Sequence, residues 1–183
     1  MSDDPRYHRL LVATREAAQR GYDAVQMRDL ASSAHMSLQT IYQFCSSKDH
    51  LIAEAHVDWI GTFRDDLLRR PPKGDTAAER VVTVLRRIAR SLDRNPELTA
   101  TILRALYSPE PAVQRSRRVV SATYDSIIDA AIGDEKVVDR PAAIEVLGLV
   151  LNSVMAQWVT ESITASEAGD ILERAVRLVV RAP

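Results

Sequence analysis

The chain has 183 residues, 46% of them hydrophobic, with 24 lysines and arginines against 25 aspartates and glutamates for a formal charge of −1. That is enough apolar material for a core without disulfides or structural metal, and the neutral balance excludes a general basic field for holding nucleic acid. A single cysteine, Cys45, the acidic start Met1-Ser2-Asp3-Asp4-Pro5 without a signal-like apolar run, and a longest apolar run of only Val146 to Leu151 lead us to expect a cytoplasmic protein with no membrane segment.

The first predicted helix runs from Pro5 to Arg20, turns Leu10, Ala13 and Ala17 inward, and ends at Gly21. A second, Met27 to Ala34, repeats Met27, Leu30, Ala31 and Ala34 at the spacing of one buried face, and His35-Met36 breaks it. Ser37 is placed to cap a third helix in which Leu38 and Ile41 point inward and Gln39, Thr40 and Gln43 outward. Two short helices around a tight turn form a helix-turn-helix. Short, polar, uncharged side chains on the second helix suit the edges of bases in a major groove, since glutamine pairs bidentately with adenine and threonine offers a hydroxyl or a methyl.

Ser46 or Ser47 then caps a long helix, Lys48 to about Arg70, with Ile52, Ala55, Trp59 and Phe63 on one stripe. At 1.5 Å per residue it spans roughly 33 Å, enough to leave the DNA-facing end for a second domain. Arg69 to Gly74, with two prolines, breaks the chain. A fifth helix from about Thr76 to Arg94 carries Val81, Leu85, Ile88 and Leu92. Asn95-Pro96 opens a sixth with Leu98, Ile102 and Leu103, and Ser108-Pro109 opens a seventh that Gly133 stops. Asp139 caps the eighth, which is apolar on two sides (Ile144, Leu147, Leu151, Met155 and Trp158; Val146, Val150 and Val154) and must therefore be buried twice, with Gly148, Ser153 and Ala156 allowing close approach of a partner. Thr164 and Glu167 form a capping box for the ninth. No strand period occurs, so the expected class is all-α with about nine helices.

Gly21-Tyr22, Leu30-Ala31, Met36-Ser37, Thr40-Ile41-Tyr42 and Ser47-Lys48 with Leu51, in that order, resemble the DNA-binding domain of the tetracycline-repressor (TetR) family of bacterial transcriptional regulators. Arg94 to Thr99 and the stretch Ala165 to Val180 are most similar to regulators of steroid and cholesterol catabolism in actinobacteria. The resemblance implies a helix-turn-helix DNA-binding domain over residues 1–50 and a ligand-binding and dimerisation domain over 51–183. It also implies a homodimer through the last two helices and a palindromic double-stranded operator with half-sites about one helical turn apart. No cofactor and no metal are implied.

On this reading Gln39, Thr40 and Gln43 contact bases, and Tyr42 and Lys48 match positions that touch phosphate, joined by Ser37 and by Arg28. The alternative for Arg28 is an ion pair with Asp23 or Asp29; for the outward face of the third helix it is plain solvation. Departures from the family pattern are Gln26-Met27 for a threonine pair, His35 for the turn glycine, and Phe44-Cys45 for an aromatic pair.

The implied effector pocket is apolar, lined by Trp59, Phe63, Leu85, Ile88, Leu92, Ile102, Leu103, Tyr107, Tyr124, Ile128, Leu151, Met155 and Trp158, each of which serves equally as core. A sterol-derived molecule or its coenzyme A thioester is the expected effector, acting by population shift to release DNA and relieve repression.

Enzyme chemistry finds little support. His50 and Glu54 share a helical face, but His50 and His56 are too far apart for an HExxH metal set, and no phosphate-binding glycine loop or nucleophile elbow occurs. The competing reading is a helical protein-interaction module without DNA binding.

Overall fold

The computed structural model describes residues 4–182, so Met1-Ser2-Asp3 of the acidic start lie outside it. The described residues are all-helical: α1 (Pro5–Ala18), a 3₁₀ turn (Tyr22–Ala24), α2 (Met27–Ser33), α3 (Leu38–Phe44), α4 (Lys48–Arg69), α5 (Ala77–Leu92), α6 (Pro96–Leu106), α7 (Pro111–Ile132), α8 (Arg140–Val159) and α9 (Ala165–Val179).

Helix starts follow from side chains that accept otherwise orphaned backbone N–H groups. Ser37 Oγ accepts the Thr40 N–H at 3.0 Å, Ser47 Oγ that of His50 at 3.0 Å, and Asn95 Oδ1 that of Leu98 at 3.2 Å. Thr164 and Glu167 form the expected capping box, and Thr76 with Glu79 forms another that shares the same spacing. The start of α7 differs from expectation. Ser108-Pro109 does not open it; the helix begins at Pro111, because a residue before proline is held out of the α region, which keeps Glu110 outside, while Pro111 itself suits the first helical position.

Two compact units share the chain. One comprises the residues through Gly61 with Asn95–Val120; the other comprises Thr62–Arg94 with the residues from Ser121 onward. In the first, Leu10, Leu30, Ala31, Ile41, Cys45, Leu51 and Ile52 form a core that also takes in Ala105, with Leu98 and Ile102 packed against it. Hence α6, which the sequence reading assigned to the ligand-binding side, supports the helix-turn-helix.

In the second unit α9 packs against α5 and α8, and Leu172 and Val176 of α9, Val81, Leu85 and Ile88 of α5, and Leu147 and Leu151 of α8 are all buried. Arg86 of α5 donates to Glu173 at 2.7 Å and Asp170 at 2.6 Å on α9. The end of α7 is closed by Gly133 at φ 66 and by two guanidiniums: Arg80 donates to the carbonyls of Ala131 and Ile132, and Arg140 to that of Gly133. Cations at a helix C-terminus satisfy its free carbonyls and its dipole together.

Among the described residues α8 is the one helix long and apolar enough to cross a bilayer by length and composition. Its Leu147 and Leu151 are buried, whereas Leu149 is 64% and Val146 40% exposed. Gly148 does not serve the purpose expected of it. A Cβ there would meet Asp125 Oδ1 of α7 at 3.0 Å, so its lack of a side chain makes room within the same protomer.

Candidate nucleic-acid interface

The turn between α2 and α3 is built as a left-handed step: His35 has φ 54, a conformation that costs a non-glycine side chain but is tolerated by histidine better than by most. The Met36 N–H returns to the Ala31 carbonyl at 2.9 Å. Ile41 then plugs the core and Leu38 lies half-buried, leaving Gln39, Tyr42 and Gln43 exposed on one side of α3, with Tyr42 at 53%. Thr40 is half-buried, and its hydroxyl sits 2.8 Å from that of Ser37. The cap therefore engages Thr40 locally, and its methyl and remaining hydroxyl capacity are what it can present to a base.

Arg28 on α2 is exposed and, among the described residues of this unit, takes no part in the ion pairs, which join Arg6 to Asp4, His8 to Asp58 and His50 to Glu54. Lys48 opens α4, half-buried, with its Nζ 3.9 Å from the centroid of the Tyr22 ring; burial lowers its pKa, and Arg104 adds to the effect.

The departures at the second helix and after α3 are accommodated. Gln26 makes no cap and donates its amide to the Asp23 carbonyl at 2.7 Å. Phe44 stacks on Tyr7 with centroids 4.8 Å apart. Cys45 is buried, its thiol pushed up to about 12 by desolvation, which makes it inert packing.

The turn before α4 is anchored from α7. Both Ser46 and Ser47 hydroxyls donate to the Glu110 carboxylate. Further along, Glu54 accepts from Ser116 at 2.7 Å and from the Tyr7 phenol at 3.2 Å. No sequence signal marks these partners, because Glu110 and Ser116 sit far along the chain in segments with no motif of their own.

The residues expected to line an effector pocket fall in both units. Trp59 and Ile102 meet in the first, around an apolar cleft with Thr14, Ala18, Ile52, Ala55, His56 and Leu98 and an empty volume of about 270 Å³ that includes open solvent. Leu103 is buried there as core, while Tyr107, at the C-terminal end of α6, is 49% exposed. In the second unit Leu85, Ile88, Leu92, Ile128 and Leu151 are core. Phe63, Tyr124, Met155 and Trp158 are half-buried; Phe63 lies under the Arg87 guanidinium at 5.1 Å and Trp158 donates to Asp93 at 3.1 Å.

A short helix held by a capped turn, with its polar face bare and a cation at the start of the next helix, defines a helix-turn-helix DNA-binding protein. The chain belongs to the TetR family of bacterial transcriptional regulators: residues 10–55 match the domain described as "Bacterial regulatory proteins, tetR family" and residues 74–179 that described as "Tetracyclin repressor-like, C-terminal domain". It is 30% identical over 177 residues to the HTH-type transcriptional repressor KstR of Rhodococcus jostii, covering 96% of this chain and 82% of that protein. Its identity to KstR of Mycobacterium tuberculosis is 29% over 177 residues, covering 96% and 80%. Among solved structures, a TetR transcriptional regulator from Rhodococcus sp. RHA1 aligns over 94% of each chain with TM-score 0.83 and 24% identity. FadR from Bacillus subtilis in complex with stearoyl-CoA aligns over 93% of this chain and 97% of that one, with TM-score 0.62 and 18% identity.

Proposed function

We propose that this protein is a ligand-responsive repressor that binds a palindromic operator as a homodimer in the cytoplasm and leaves it when a small hydrophobic effector binds. The observation that carries the reading is the exposed face of α3, where Gln39, Tyr42 and Gln43 stand clear of the core that Ile41 anchors. Gln39, Gln43 and the Thr40 methyl read base edges; Arg28, Ser37, Tyr42 and Lys48 hold phosphate. Residues 1–50 carry the elements that read DNA, supported by α6, and the rest of residues 51–183 carries effector binding and dimerisation.

The dimer forms through α8 and α9. Leu149 and Val146 on α8 and Leu178 on α9, 64%, 40% and 62% exposed, are apolar side chains on neighbouring helices that a two-fold partner would cover. Similarity to the KstR repressors and the fold shared with an acyl-CoA-bound regulator support a sterol-derived molecule or its coenzyme A thioester as effector. Such a ligand acts by its differential affinity for the DNA-free arrangement.

Selection of bound sequences from random duplex DNA tests the proposal. A symmetric consensus with half-sites about 34–36 Å apart is expected; recovery of unselected DNA would overturn it. Titrating a sterol-derived coenzyme A thioester into the complex tests the effector, and unchanged operator affinity would refute that part.

A further inference from the structure

Residues 4–61 supply no surplus of positive charge to the DNA-facing unit, since Arg6, Arg9, Arg15, Arg20, Arg28 and Lys48 face Asp4, Glu16, Asp23, Asp29, Asp49, Glu54 and Asp58. The fold adds Asn95–Val120 to the same unit, and with it Arg104, Arg115, Arg117 and Arg118 against Glu97 and Glu110. With Asp3 counted the unit balances at ten against ten, so the cations that offset its acidic first segment are imported from α6 and α7. Among these cations Arg104 reaches the helix-turn-helix: its guanidinium carbon lies 3.7 Å from the centroid of the Tyr22 ring, the ring that also carries Lys48 Nζ at 3.9 Å.

Two like charges thus share one aromatic plate. The plate is fixed, because the Tyr22 phenol donates to Asp49 at 2.6 Å, and that bond commits Asp49 to the ring. Asp23 and Asp49 offset part of the repulsion at longer range, yet among the described residues neither cation enters the ion pairs of this unit. Arg104 is exposed. Cations brought together on a π-face and left without a carboxylate of their own are suited to an external anion. A guanidinium held over a ring by its central carbon keeps N–H donors that the ring does not use.

We propose that Arg104 and Lys48 together grip the DNA backbone, with Tyr22 as the platform that spaces them, so that α6 contributes a phosphate contact from outside the helix-turn-helix. The inference rests on the DNA-binding reading above and adds to it a residue that no motif marks.

The test is the salt dependence of binding to a mixed-sequence duplex and to the selected consensus, by fluorescence anisotropy between 50 and 200 mM salt. Wild type must first show a salt-dependent affinity; if it does not, the DNA-binding reading itself fails. Given that, Arg104→Gln is expected to reduce the slope of log K against log salt by about 0.9 per protomer engaged, and to weaken both duplexes by the same factor. Arg104→Lys, which keeps the charge, is expected to keep the slope. An Arg104→Gln protein with wild-type thermal melting and an unchanged slope would overturn the proposal, as would a loss confined to the consensus.

Discussion

Replacing His56 with leucine removes an acid sensitivity that this side chain imposes on folding. His56 is 6% exposed in the middle of α4 and its Nδ1 has no hydrogen-bond partner. It lies 5.6 Å from the Trp59 ring, in the cleft with Thr14, Arg15 and Leu98. Desolvation pushes its pKa down from 6.5 to about 4, so the folded protein keeps the imidazole neutral where the unfolded chain would protonate it. Above pH 6.5 neither state binds the proton and the residue adds no pH dependence. As pH falls from 6.5 toward 4 the unfolded chain binds a proton that the folded chain refuses, and stability falls; below about 4 both states bind it and the loss levels off. At 1.36 kcal/mol per unit this amounts to about 3 kcal/mol. The assay is urea denaturation of wild type and His56→Leu in steps from pH 7.5 to 4, taking the difference between the proteins so that the shared carboxylates cancel. Wild type should lose about 3 kcal/mol relative to the variant across that range. Parallel profiles, or an imidazole resonance of His56 that titrates near 6.5, would refute the reasoning.

Gln39→Ala and Gln43→Ala are each expected to relax preference at one base pair by about 1–3 kcal/mol, whereas Lys48→Ala should weaken all sequences alike; repeating the selection with each variant distinguishes them, and an unchanged consensus would remove both glutamines from the reading face. Ser37→Ala strips the cap from α3 and should cost about 1 kcal/mol, read as a lower denaturation midpoint. Leu172, fully buried on α9, should cost about 3–5 kcal/mol when cut to alanine, and a loss under about 1 kcal/mol would mean that the α5, α8 and α9 core closes around the gap. Hydrogen bonds from Ser46 and Ser47 hold the Glu110 carboxyl below its ordinary 4.5, so its contribution is complete above that value and fades as pH falls through the lowered one. Glu110→Gln should therefore destabilise at pH 6 and converge on wild type under strong acid, as followed by melting temperature.

Much of this protein is written locally. The caps at Ser37, Asn95, Asp139 and Thr164 lie where the sequence places them, because an N-cap bond closes within three residues and depends on nothing distant. The left-handed turn at His35 and the bare face of α3 are local in the same way, which is why the helix-turn-helix and the all-helical class are legible without coordinates. Periodicity tells a helix which face is apolar but not which other helix will cover it. Only the tertiary structure assigns α6 to the DNA-facing unit, sets Arg104 on the Tyr22 ring beside Lys48, ties Glu110 to Ser46 and Ser47, turns Tyr107 outward and fits Asp125 against Gly148. All but the exposure of Tyr107 join residues far apart in the chain, and their meeting is decided by the competition among apolar faces for a shared core rather than by any residue's neighbours in sequence.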